Sequence, residues 1–231
     1  MRASDRAYRA LMADIIDGQL KPGTILGEVE QASRLGVSRT PLREALNRLQ
    51  AEGFLETTSA RSLVVSEVSL VQVRELYELR EALEMQAAKL AAQRGDREIF
   101  QNLQREFESL TGDLDSQNQI ELLYQLNARL DAAVDVAINN EYLVAALRNV
   151  RTHMARIRRL ATHNPRRLAQ SVAETLLIIE AIASGDSELA ASATQIHLRR
   201  SLANVAGELE LANNQQISRI KIEKDKNNEV A

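Results

Sequence analysis

The residues best suited to chemistry lie in "GVSRTPLREALNRLQAEGFL", positions 36–55, where Arg39 and Arg43 stand four apart beside the hydroxyls of Ser38 and Thr40. Leu42, Ala45, Leu46 and Leu49 recur through the same stretch at helical spacing, which makes them the buried face of an amphipathic helix. A turn of about 100° per residue then leaves Arg39, Thr40, Arg43 and Asn47 outside. Pro41 falls in the first turn, where a missing N–H costs nothing, and Ser38 or Thr40 can cap the free N–H groups. Such a helix start suits phosphate oxygens, and an arginine there can reach both acceptors of a guanine edge. The plainer alternative is a solvated pair of arginines near Glu44 and Glu52. The turn before the helix, its cap and the segment after it favour contact with DNA.

Those neighbouring elements follow from the pattern. Tyr8, Leu11, Met12, Ile15 and Ile16 form one stripe over 5–17, a first helix. Gly18 and Pro22-Gly23 end it. A second short helix spans about 28–35 up to Gly36, and the arginine-bearing third spans about 39–51 up to Gly53. Strands around 54–57 and 62–66, joined by Ser59-Ala60-Arg61, make a hairpin. Three helices and a hairpin are a winged helix-turn-helix. Beyond it the pattern predicts helices near 69–94, 96–112, 117–138, 140–161, 165–184 and 187–211, with short joints suited to an antiparallel bundle. The fold class is therefore mainly α. A winged helix-turn-helix occupies 1–68, a six-helix antiparallel bundle 69–212, and a polar tail 213–231 that reads as a frayed helix end followed by disorder.

Composition narrows the function. The 231 residues carry a net charge of −3, so bulk charge does not announce a nucleic-acid binder. Residues 1–66 hold nine Lys/Arg against eight Asp/Glu, whereas 67–212 hold sixteen against twenty-one, so the decision rests on local placement. Without cysteine there is no thiolate metal site or thiol nucleophile. No apolar run approaches the roughly eighteen residues of a membrane span, and the first residues lack a secretory core segment. A cytoplasmic address is expected. Seven arginines lie between 148 and 167, but Arg148, Arg151, Arg158 and Arg159 share their helix with Leu147, Val150, Met154 and Ile157, and no aromatics are interleaved, which argues against a second nucleic-acid stripe. His153 and His163 read as surface or interface residues.

The segment "KPGTILGEVEQASRLGVSRTPLREALNRLQAEGFLE" resembles the winged helix-turn-helix of the GntR family of bacterial repressors. Carried over by position, the resemblance implies that Ser38, Arg39, Thr40 and Arg43 contact bases and phosphates, with Arg61 as the basic wing residue. Four positions depart from the family pattern. Val29 replaces a backbone-contacting arginine, Ser62 the glycine after the wing arginine, Gln31 a core leucine, and Gly27 a serine cap. Fewer phosphate contacts imply a shallower salt dependence.

The segments "ELYELREALEMQAAKLAA" and "IIEAIASGDSELAASATQIHLRRSL" resemble the ligand-binding FCD-type domain of the FadR-like branch, in its six-helix, VanR-like form. That likeness implies a domain that dimerises and holds a small effector, commonly a carboxylic acid. In many members an Asp and a His four apart, with two later histidines, bind a divalent metal. The corresponding positions here are Asn127, Asp131, Thr175 and His197. Asn127 is a poor ligand and Thr175 nearly none, so no tightly held transition metal and no cofactor is expected. A weak oxygen-rich site for a hard cation is the residual possibility. The same four residues, with Arg80, line the expected effector site. There Asp131 and His197 can pair, and Arg80 can hold a carboxylate or bridge to Glu84 on its own helix.

The sequence thus predicts a homodimeric regulator, a repressor, that binds a short DNA palindrome and senses a carboxylate, and that is not an enzyme. Two alternatives stand beside it. One is a helical-bundle enzyme using Asp131 and His197, which lacks a nucleophile motif or phosphate loop. The other is a sensing module that acts through protein partners.

Overall fold

The computed structural model describes the backbone of residues 1–110, 116–160 and 165–228. Side chains are described within these spans except at 117, 158–160, 165 and 212–228. The chain divides into two compact units, 1–69 with 151–160, and 70–150 with the remainder.

In the first unit, α1 (Ala3–Ile16), α2 (Glu28–Leu35) and α3 (Arg39–Ala51) precede β1 (Leu55–Thr57) and β2 (Leu63–Val65). The two strands are antiparallel, with Leu55 opposite Val65 and Thr57 opposite Leu63. Ile25 adds an isolated bridge to Val64 on the outer edge of β2. Leu11, Ile15, Leu42, Leu46, Leu49, Phe54 and Val65 form the core, so the aliphatic stripe of α3 is buried as its spacing requires. Gly36 ends α2 in the left-handed conformation, and Val37 N–H reaches back to the Ala32 carbonyl at 3.1 Å. This closure consumes the last carbonyls of α2 and turns the chain sharply into α3.

The second unit contains α4 (Leu70–Arg94), α5 (Arg97–Glu108), α6 (Gln117–Ile138), α7 (Glu141–Leu160) up to Val150, α8 (Pro165–Ser184) and α9 (Ser187–Asn228). α4 and α8 both pack on α9, and α5 packs on α8. Phe100, Phe107, Leu126, Ile179 and Ile182 lie in the centre of the core. The joints are made by short polar side chains that satisfy open helix starts. Asp96 accepts from Glu98 N–H at 2.9 Å, Asn140 from Tyr142 and Leu143 N–H at 3.1 and 3.2 Å, and Asp186 from Leu189 N–H at 2.9 Å.

Three expectations change. The last ten residues of α7 belong with the first unit, although periodicity alone assigned the helix to the bundle. α9 continues to Asn228 through most of the segment expected to be a frayed helix end and disordered tail. α5 ends at Glu108, and the joint at 111–115, His163 and residues 229–231 lie outside the described residues.

Candidate functional site

Ser38, Arg39, Thr40 and Arg43 are all exposed at the start of α3, opposite the buried Leu42, Ala45, Leu46 and Leu49. Ser38 has the extended backbone of a cap (φ −75°, ψ 167°), yet its side chain makes no capping hydrogen bond. The helix therefore presents its first N–H groups and two hydroxyls together, an arrangement suited to an anion.

Arg43 is already engaged. Its Nε donates to both Glu28 oxygens at 2.9 Å, and its Nη2 lies 2.8 Å from Glu28 Oε2. Glu28 is the first residue of α2, where a carboxylate is favoured by the helix dipole. The turn at Gly36 brings that end of α2 against the first turns of α3. The hydrogen bond from Arg43 holds the Glu28 carboxyl below its ordinary range, and the charges of Arg43 and Arg39 add to this. Sequence reasoning missed Glu28 because the pair is fifteen residues apart and joins two helices.

The wing places Arg61 at a backbone position built for glycine. Arg61 N–H bonds to the Thr58 carbonyl and Thr58 N–H to the Ser62 carbonyl, both at 2.9 Å. The loop 59–61 is thus a three-residue hairpin turn whose last position is left-handed. Arg61 adopts it at φ +62°, and its side chain is exposed. A non-glycine residue there stores backbone strain.

Behind this surface, Tyr8 O–H donates to Glu52 at 2.5 Å while the Arg48 guanidinium lies 3.7 Å over its ring. Burial and the Glu52 carboxylate push the Tyr8 phenol up to about 12. His153, read from sequence as a surface or interface residue, is half-buried and stacked on Phe54. Arg156 is buried, donates to Ser66 Oγ at 3.0 Å and also bonds the Ser66 carbonyl. Two residues of the arginine-rich stretch thus have packing partners within this unit.

In the second unit the expected effector residues are placed as follows. Arg80 is buried, its Nε is 2.7 Å from Glu84 Oε1, and its guanidinium lies 4.6 Å from the Tyr77 ring centre. Asn127 and Asp131 are half-buried on α6, and Thr175 is buried on α8. His197 Nδ1 meets Glu174 Oε2 at 2.9 Å. Glu174 also accepts a bidentate pair from Arg167, at 3.0 and 2.9 Å, and a bond from Arg200 at 3.2 Å. Burial works against its charge, but His197 and Arg167 outweigh this and hold the carboxyl at about 2. Sequence reasoning stopped one residue short of this carboxylate, at Thr175. Among the described residues no group of three His, Cys, Asp or Glu side chains is placed to hold a metal ion.

Comparison with known proteins decides the family. Residues 3–65 match the model for bacterial regulatory proteins of the gntR family, and 75–200 match the FCD domain. The chain belongs to the GntR family. It is 39% identical over 142 residues to the Nta operon transcriptional regulator of Aminobacter aminovorans, covering 60% of this chain and 63% of that one. It is 30% identical over 196 residues, 83% and 80% of the two chains, to an HTH-type transcriptional regulator in an unstable DNA locus of Streptomyces ambofaciens. The E. coli McbR/YncC structure superposes with a TM-score of 0.71 at 25% identity, over 90% of this chain and 99% of that one. This GntR-family protein is a DNA-binding transcriptional regulator with an FCD domain, and the enzymatic alternative falls away.

The departures from the usual GntR pattern can now be placed. Gln31 is buried, and its carbonyl oxygen accepts from Arg34 Nε at 2.9 Å. Arg34 in turn pairs with Asp14 on α1 at 2.7 Å. The polar substitution is thereby satisfied. Val29 is 64% exposed, so replacing an arginine there removes a charge without disturbing the core.

Proposed function

We propose that this regulator is a homodimeric, cytoplasmic repressor whose two α3 helices enter successive major grooves of a short palindrome. Arg39 and Arg43 read base edges, while Ser38, Thr40 and Arg61 hold the phosphate backbone. The observation that carries this reading is the exposed, uncapped start of α3 with both guanidiniums on its outer face. The test is an operator selected from random duplexes with the intact protein, then titrated by fluorescence anisotropy at fixed salt. Arg39→Ala and Arg43→Ala should each weaken binding by about 1–3 kcal/mol and relax selectivity at one base position. Unchanged affinity removes that arginine from the interface.

The effector reading is a carboxylic acid held by Arg80, Asn127, Asp131, Thr175 and His197. Arg80 and His197 already face resident carboxylates, Glu84 and Glu174. An incoming acid that displaces Glu174 from His197 breaks a contact between α8 and α9, so its binding there is coupled to helix position. A thermal-shift screen of carboxylic acids, with Arg80→Met as control, tests this. A stabilising acid that acts equally on the variant would exclude Arg80 from the site.

A further inference from the structure

An arginine has five N–H donors in a planar fork. In Arg43 the edge formed by Nε and Nη2 is occupied by Glu28, through contacts of 2.9, 2.9 and 2.8 Å. What remains for a ligand is the other edge, where Nη1 and Nη2 each offer an N–H in parallel. That pair matches the N7 and O6 acceptors of guanine. Arg43 is 61% exposed and Glu28 39% exposed, so the contact adds little to folding. Its consequence lies at the surface that meets DNA.

We propose that Glu28 is a specificity-determining residue, which clamps one edge of Arg43 so that only the opposite edge can dock on a base. This rests on the reading of Arg43 as a base-contacting residue. Unclamped, the side chain can swing to a phosphate oxygen at any sequence. Clamped, it loses that option, and the adjacent negative charge cancels most of its attraction to the backbone. Glu28 therefore acts twice in the same direction. It aims the arginine at the operator and lowers attachment to unrelated DNA, whose affinity comes almost wholly from phosphate neutralisation.

The experiment uses the full-length protein and the operator selected as above, with a scrambled duplex of equal length and composition. Affinities for both are measured across a salt series for wild type, Glu28→Gln, Glu28→Ala, Arg43→Ala and the Glu28→Ala/Arg43→Ala double variant. Thermal melting verifies that each is folded. Both Glu28 variants should lower the operator-to-scrambled ratio by about tenfold, with tighter binding to the scrambled duplex. In the Arg43→Ala background the Glu28 substitution should change the ratio by less than about twofold, because the clamped partner is gone. A ratio unchanged in Glu28→Ala, while Arg43→Ala loses operator affinity, overturns the clamp and leaves the DNA-reading role of Arg43 standing. A Glu28 effect of equal size with and without Arg43 also overturns it, and shows the carboxylate acting on a base by itself. If Arg43→Ala binds the operator like wild type, both readings fall together.

Discussion

The imidazole of His153 lies flat on the ring of Phe54, with centroids 4.2 Å apart and planes within 6°. Phe54 is fully buried between α3 and the wing, so this stack seats the end of α7 on the core of the DNA-binding unit. Burial pushes the His153 imidazole below its ordinary value, and the Arg156 charge adds to this, while Glu52 opposes through its backbone and its charge. The folded state therefore disfavours the protonated ring. Its contribution to stability is complete above about pH 6.5 and is lost as pH falls below that toward the lowered folded value. Melting at pH 7.5 and 5.5 should show the wild type losing more than His153→Phe. That variant keeps the stack and gives up about 1 kcal/mol of hydrogen bonding at pH 7.5.

Arg61 combines a strained backbone with an exposed charge. Arg61→Gly should stabilise the wing by about 1 kcal/mol, since glycine takes the left-handed turn position freely. Operator binding should weaken, and the slope of log affinity against log salt should fall by about one unit. Melting and anisotropy on the same preparation check the opposed signs.

Glu174 links His197, Arg167 and Arg200. Its carboxyl, at about 2 against an ordinary 4.5, adds stability that is complete above pH 4.5 and lost as pH falls toward 2. Glu174→Gln should cost about 1–3 kcal/mol at pH 7, because the buried carboxylate that joins Arg167, His197 and Arg200 becomes a neutral amide. Denaturation at pH 7, 4 and 3 should show the variant's penalty shrinking with acid.

Two glycines predict opposite outcomes for one substitution. A Cβ on Gly95 would stand 2.6 Å from the Ala91 carbonyl and 2.6 Å from the Phe100 ring, so Gly95→Ala should cost about 2 kcal/mol. On Gly207, within α9, a Cβ meets nothing within 4 Å. Gly207→Ala should therefore stabilise by about 0.5–1 kcal/mol. Urea unfolding of both variants tests the pair.

The helices were legible where short-range signals bound them. Residues 28–35, 39–51, 117–138 and 165–184 end at glycine, asparagine or serine turns, and their extents match the sequence reading. The end of α9 was not legible from polarity. No glycine or proline follows Gly207, so the residues that break a helix most strongly are missing from the segment. At the candidate sites, exposure of Ser38, Arg39, Thr40, Arg43 and Arg61 followed from periodicity and turn chemistry. The partners did not. Glu28 meets Arg43 and Glu174 meets His197 across pairs of helices, and periodicity assigns a face without naming the side chain opposite it. His153 was missed for the same reason, since its partner Phe54 lies about a hundred positions earlier.

Gln31, Arg34 and Asp14 carry a lesson for anyone building hybrid regulators from this family. The three form a relay from the inner face of one helix to the flank of another, so no member is an independent choice. A chimaera that keeps α1 and takes α2 from a leucine-bearing parent replaces Gln31 and Arg34 together, and takes from Asp14 the guanidinium it pairs with. Positions 14, 31 and 34 should therefore be transplanted as a set, ahead of any change aimed at altering the target sequence.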